Sequence, residues 1–377
     1  MKLQGNIVSG GRAGYGEIEW NADRIGRLEF GNGIQPDEPW ILPGFIELHL
    51  HGIGKYNVEE GESGVVGMAA FAASKGTVRM VPAYACAPHE VLLEWLRIIR
   101  KLMQDPPEGA RISGAHLEGP WLSARFGGGM DPAQIRNPDP VQAQEYLDAA
   151  QGTLKLMTIA PELPGALEVI RLMRSAGVTM SLGHSDCPPE FFETAVGAGI
   201  SQVCHLFDAY DVPSAPLGVR HPAVTDLALI DDRVMKEIIM DGLHVPPELV
   251  KLSRRAAGAD HIIAITDSLQ GAGLPVGRFF DAGRPYIIRE GELARLEADG
   301  QIVGSSLTMN RAFFNMTEKF GFTPAEAVKC LSANPAKQLG LGDRTGELRE
   351  GWSADITVLA PDRLTVQQTY LEGRRIF

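Results

Sequence analysis

Two histidines one residue apart, His49 and His51, stand at the end of the apolar stretch Phe45–Leu50. Residues two apart on a strand project to the same face, so this pair can chelate one ion, although two structural histidines beside a loop would show the same spacing. Further along, Glu118 lies in GAHLEGP, His184 in SLGHSD, His205 in CHLFD, His244 in DGLHV and Asp267 in ITDS, each closing or just following a short apolar run. Taken singly each has a bland reading, as a loop cap or a packed core side chain. Taken together, imidazoles and carboxylates without thiolates suit a catalytic Zn²⁺ or Fe²⁺ with an open water position better than a closed structural site.

These residues need elements to bring them together. Eight apolar runs are strand candidates: Phe45 to Leu50, Thr77 to Val81, Ile112 to Leu117, Leu154 to Ile159, Val178 to Leu182, Gln202 to Leu206, Glu237 to Met240 and Ile262 to Ile265. They recur roughly every 20 to 40 residues, with helical patterns such as Pro88 to Met103 and Gly165 to Ala176 between them, which is the order of an α/β (β/α)₈ TIM barrel. Active sites of such barrels are built at the C-terminal ends of the strands, and the chemical residues end runs one, three, five, six and eight or follow run seven. Glycine-broken β-like stretches at both ends (NIVSG, GEIEW, RIGRLEF; ADITVLA, TVQQTYLEG, RRIF) predict a small β-sandwich domain formed by both chain termini. The expected division is residues 1–44 and 345–377 for the β-sandwich and 45–344 for the barrel.

Composition narrows the class. The chain has 377 residues, 44% apolar and 22% charged, with a net charge of −12. That balance fits a globular protein and leaves no basic footprint for nucleic acid or an anionic membrane surface. No 18-residue apolar run and no leader pattern occur at the start, so a cytoplasmic location without a membrane span is expected. Cys86, Cys187, Cys204 and Cys330 are far apart and predict reduced thiols. Cys204 precedes His205 and should point to the opposite face of a strand, so it and Cys187 are expected to be packing residues. Neither Gly127–Gly129 nor Gly271–Gly273 has nucleotide-loop spacing, and both are expected as mobile loops over the barrel mouth.

The stretches PGFIELHLHG, HLEGPWLS, LGHSD, HLFDAY, DGLHV, TDSLQGAGLPVG, GSSLTM and SANPAKQLGL resemble the N-acetylglucosamine-6-phosphate deacetylases of the amidohydrolase superfamily, in order and nearly end to end. The resemblance implies a metal-dependent barrel with a β-sandwich of both termini, a homodimer, and removal of acetate from an amino-sugar phosphate. Carried over by position, it implies Glu118, His184 and His205 as principal metal ligands, His49 and His51 as a second-metal pair, Asp267 as catalytic acid/base and His244 as a substrate-contacting, catalytic histidine. One or two ions per subunit are thus expected, zinc foremost and iron as the alternative. Glu118 on run three takes the place that a carboxylated lysine on run four serves in hydantoinase-like relatives, and Lys155, at the start of run four, is at the wrong end to bridge metals. An ion held this way activates water and polarises an amide carbonyl, Asp267 would move the proton from water to the departing amine, and His244 would orient the tetrahedral intermediate or brace the site.

The chain departs from the family's pattern at two site positions. Met130 stands where the family has a substrate-touching histidine, and Asp208 beside Ala209 replaces an amide near where a phosphate is bound, adding charge that would repel it. Against this, Arg220 in the following loop resembles an arginine that reaches a phosphate across the dimer interface; a plain surface arginine fits the sequence equally well. The expected substrate is therefore N-acetylglucosamine 6-phosphate, with an unphosphorylated or different N-acyl sugar as the alternative. A cyclic amidohydrolase and a catalytically silent sugar-binding protein are the remaining rivals; the intact Glu118, His184, His205 and Asp267 set speaks against the silent one.

Overall fold

The computed structural model describes residues 1–377. Eight parallel strands form the barrel: Phe45–Leu50, Thr77–Tyr84, Ala115–Glu118, Leu154–Ile159, Thr179–Leu182, Ile200–Val203, Met235–Ile239 and Ile262–Ile265. They follow chain order, and the seam between the last and the first is closed by Asp267 N–H donating to His49 O at 2.9 Å and His51 N–H to Ser268 O at 2.8 Å. Strands covered on both faces read as continuous apolar runs, and Phe45–Leu50 and Ile262–Ile265 are buried throughout.

Five of the expected strands differ in extent, two of them for reasons the backbone shows. The run Ile112 to Leu117 is broken into Arg111–Ile112, paired with the second barrel strand, and Ala115–Glu118. Gly114 between them has φ +156°, and a Cβ there would lie 2.2 Å from Lys155 Cγ, so the backbone turns where only glycine fits. The sixth strand ends at Val203, short of the expected Leu206, because the chain turns left-handed at His205 (φ 23°).

The outer helices are amphipathic. His89–Gln104 buries Leu92, Trp95, Leu96, Ile99 and Leu102, and Ala166–Ser175 buries Val169, Ile170 and Met173, one stripe each against the barrel.

The strands of both termini meet in one mixed sheet of seven, in the order Arg374–Arg375, Val366–Leu371, Ile356–Leu359, Trp40–Pro43, Lys2–Ser9, Arg12–Asn21, Arg24–Phe30. The sheet curls until Ile25 N–H bonds Trp352 O at 2.9 Å, enclosing its own core of Ile7, Ile18, Trp20, Ile25, Ile41 and Ile356. Its joint with the barrel is polar: Arg79 reaches Asp355 at 3.1 Å and Glu372 at 3.1 Å, and Thr369 Oγ1 donates to Ala73 O.

An antiparallel hairpin, Gly277–Asp281 with Arg284–Ile288, follows the eighth barrel strand. Its two-residue turn, Ala282-Gly283, has φ 46° and 74°, the left-handed pair that matches strand twist. Tyr286, Ile288, Leu296 and Val303 pack together beneath it and fix it over the barrel mouth.

Candidate active site

A cavity of about 510 Å³ opens at the C-terminal end of the barrel, with His51, Glu118, His184, His205 and Asp267 at its floor. Three of these leave their strands with positive φ: His184 at 48°, His205 at 23° and Asp267 at 49°. Each non-glycine residue in that region costs about 1–3 kcal/mol, held by the surrounding fold. The turn aims each side chain back over the barrel axis.

The donor atoms converge in two overlapping groups. Glu118 Oε1 lies 3.2 Å from His184 Nε2 and 3.0 Å from His205 Nε2, and those nitrogens are 3.1 Å apart. On the other side His49 Nε2 and His51 Nε2 are 3.3 Å apart, and Asp267 Oδ1 lies 3.5 and 3.2 Å from them. Glu118 joins the groups, its Oε2 3.2 Å from His51 Nε2.

The proton positions fit a cation. His184 Nδ1 faces Phe126 O at 2.7 Å and His205 Nδ1 faces Asp208 O at 3.2 Å. A carbonyl only accepts, so each Nδ1 carries the proton and each Nε2 presents a lone pair to the carboxylate. Electron-pair donors facing one another at about 3 Å are what a divalent ion with nitrogen and oxygen ligands satisfies. Burial alone would raise the Glu118 carboxyl, but the imidazoles of His49, His184 and His205 hold it well below the usual range. Burial works against charge on His51, and the Asp267 and Glu118 carboxylates outweigh it, bringing the imidazole up to about 9.

His244 lies beside this floor and is covered. Its Nδ1 is 2.6 Å from Asp241 Oδ2, and its Nε2 faces Val303 O, on the segment that walls the cavity, at 3.3 Å. Asp208, Ala209 and Met130 line the cavity, and so do Gly128 and Gly129. Arg220 does not: it is exposed and pairs with Asp226 at 2.6 Å. Lys155 lies outside, its Nζ on Gly152 O at 2.8 Å.

Cys204 corrects the sequence reading. Strict alternation ends with the strand at Val203, so Cys204 and the left-handed His205 both face inward, and Cys204 Sγ lies 3.7 Å from Glu118 Oε1 and 3.7 Å from His49 Nδ1. Cys187 is buried away from the cavity, as a packing residue should be.

Sequence reasoning missed the hairpin wall and its charges. Glu59, Asp281 and Arg284 line the cavity; burial and the neighbouring Asp281 push the Glu59 carboxyl up to about 7. Among the lining cations, Arg284 is paired with Asp281 at 2.5 Å and Arg125 with Asp186 at 2.6 Å and Asp211 at 3.5 Å, whereas Arg295 donates to Gly300 O. The hairpin's signal was the Ala282-Gly283 turn between alternating segments; Glu59 sits in a charged stretch that gives none.

A barrel with this donor set defines a class, and comparison agrees: residues 40–376 match the model of the amidohydrolase family, to which the chain belongs. Within it the chain is a hydrolase of the N-acetylglucosamine-6-phosphate deacetylase family. It is 31% identical over 339 residues to N-acetylgalactosamine-6-phosphate deacetylase of Escherichia coli O157:H7, covering 90% of this chain and 88% of that one. With N-acetylglucosamine-6-phosphate deacetylase of Bacillus subtilis it shares 30% over 366 residues, 95% and 91% of the two chains. The crystal structure of N-acetyl-D-glucosamine-6-phosphate deacetylase from Mycobacterium smegmatis superposes with a TM-score of 0.91 at 29% identity over 100% of both chains. A mutant of that mycobacterial enzyme has been solved in complex with N-acetyl-D-glucosamine-6-phosphate, with the same TM-score of 0.91 and identity of 29% over 100% of this chain and 99% of that one. No helix here is long and apolar enough to cross a membrane.

Proposed function

We propose that the protein removes acetate from an N-acetylated amino sugar, N-acetylglucosamine 6-phosphate foremost, in a metal-dependent amide hydrolysis. The observation that carries this reading is the convergence of Glu118 with His184 and His205 on one side and with His51 on the other.

Glu118, His184 and His205 would hold one ion, and His49 and His51 would be the pair for a second where the centre takes one or two ions. Zinc is the metal best suited to this set, with iron the alternative. Bound there, the ion supplies Lewis acidity toward the amide carbonyl and the attacking water. Asp267, whose Oδ1 sits at the edge of the donor cluster, takes the water's proton and delivers it to the nitrogen, because an amine departs only once protonated. His244 Nε2 donates to Val303 O, and a substrate oxygen replacing that carbonyl receives the same hydrogen bond. Asp208, Ala209 and Met130 flank the sugar. The enzyme works in the cytoplasm as a homodimer, with Arg220 reaching a partner's substrate, and residues 1–44 and 345–377 form one domain beside the barrel of 45–344.

A second reading, an unphosphorylated N-acyl sugar, is favoured by the acidic lining: Asp208 lines the cavity and both Arg125 and Arg284 are already paired with carboxylates. Acetate release by the zinc-loaded enzyme from N-acetylglucosamine with and without the 6-phosphate, compared as kcat/KM, separates the two. Release from neither would overturn the deacetylase reading.

A further inference from the structure

Beneath the converging donors the barrel interior is polar. Glu47, His116, Gln202 and Glu237, from strands one, three, six and seven, are each at most 1% exposed. Glu47 Oε2, His116 Nδ1 and Gln202 Oε1 have no hydrogen-bond partner. Placing carboxylates in such a layer is costly, and a fold that keeps them there needs a use for them.

Glu237 has one. Its Oε1 accepts from Gln202 Nε2 at 2.8 Å and its Oε2 faces His49 Nδ1 at 3.5 Å. No cation neutralises it from its own strand: Lys236 turns the other way, its Nζ donating to Asp231 O and Val234 O at 2.7 and 2.8 Å. A carboxylate only accepts, so His49 carries its proton on Nδ1 and presents the Nε2 lone pair to the cluster, 3.3 Å from His51 Nε2 and 3.3 Å from Glu118 Oε1. His184 and His205 have their tautomers set by backbone carbonyls, which no side-chain substitution removes. His49 takes its orientation from side chains, Glu237 at 3.5 Å with Cys204 Sγ beside it at 3.7 Å from the same nitrogen.

We propose that Glu237 is the positioning residue that makes His49 a metal ligand, and that through it the centre holds two ions rather than one. Gln202 completes the relay by fixing Glu237. Outer partners of this kind typically tune metal affinity by 10–100-fold. The inference rests on the metal-dependent reading above, but it is tested without turnover: an enzyme inactive on every N-acetyl compound would sink the deacetylase reading and leave this one to the metal measurement.

Zinc-loaded full-length enzyme is dialysed against graded dipicolinate and the zinc retained per chain is measured, with thermal melting as the check on folding. The wild type should release two ions in two steps. Glu237→Leu should hold one, the step belonging to Glu118, His184 and His205 staying in place. Glu237→Gln keeps an acceptor oxygen and should restore the second ion with its affinity about tenfold weaker. A wild type with a single ion, or a normally melting Glu237→Leu that keeps two at wild-type affinities, overturns the proposal. Should Glu237→Leu fail to fold, Glu237→Gln decides: an unchanged second step overturns the assignment, and a selectively weakened one upholds it.

Discussion

Glu118, the last residue of strand three, and His51, the residue just past strand one, meet at 3.2 Å, Oε2 against Nε2, while the other oxygen of the same carboxylate faces His184 and His205. One side chain thereby serves two groups of candidate donors that come from opposite sides of the barrel. The two groups are consequently unequal in what a single substitution does to them.

Glu118→Gln should strip the centre, because the amide offers a weaker donor to both groups at once. His51→Asn should leave the ion at His184 and His205. Metal content per chain after gel filtration distinguishes them; activity should fall about a thousandfold or more in the first.

Asp267→Asn should keep metal and lose turnover by about 10²–10⁴-fold, the range expected for a positioned proton carrier. His184→Asn should lose metal together with activity. A metal-replete Asp267→Asn enzyme of near-normal rate would remove Asp267 from the proton path.

Asp208→Asn takes a negative charge from the lining of the cavity. It should raise kcat/KM for the 6-phosphate relative to the unphosphorylated sugar by about tenfold at low salt, and less as salt screens the charge.

The His244–Asp241 pair makes stability depend on pH. Burial opposes charge on His244, but Asp241 at 2.6 Å outweighs it and lifts the imidazole to about 9, above its ordinary 6.5. A folded value above the unfolded one stabilises the fold below about pH 6.5, and that contribution disappears as pH rises to 9. Urea unfolding at pH 6 and pH 9 should show a loss on the order of a few kcal/mol from this pair, absent in Asp241→Asn.

Arg79→Ala leaves Asp355 buried without its cation at the joint between sheet and barrel. Removing one partner of a buried pair costs about 3–5 kcal/mol, and urea melting should register a loss of that order.

The barrel was legible in the amino acids because strands covered on both faces must be apolar throughout, and each of the eight runs overlaps one of the eight barrel strands. The site was legible because the runs end in chemical residues. What escaped has identifiable causes. Cys204 was misplaced because a period of two stops applying where the backbone turns left-handed at His205. The break at Gly114 is set by Lys155 on the neighbouring strand, a contact that local pattern does not carry. Glu237 and Gln202 stand at the heads of runs seven and six and carry no signal there; only the closed barrel brings them beside each other and beneath His49. The covering of His244 by Val303 O likewise depends on a segment folding back from beyond the hairpin.

The seam at which Asp267 N–H meets His49 O joins the first barrel strand to the last. A chain still emerging from the ribosome has made both histidines long before it has made the aspartate opposite them, and it can assemble the full constellation only after residue 267 is released. The cluster of Glu118, His184 and His205 is complete in sequence by residue 205, whereas its join to His49, His51 and Asp267 is a late event in synthesis, and a truncated chain that never closes the seam lacks that half of the arrangement.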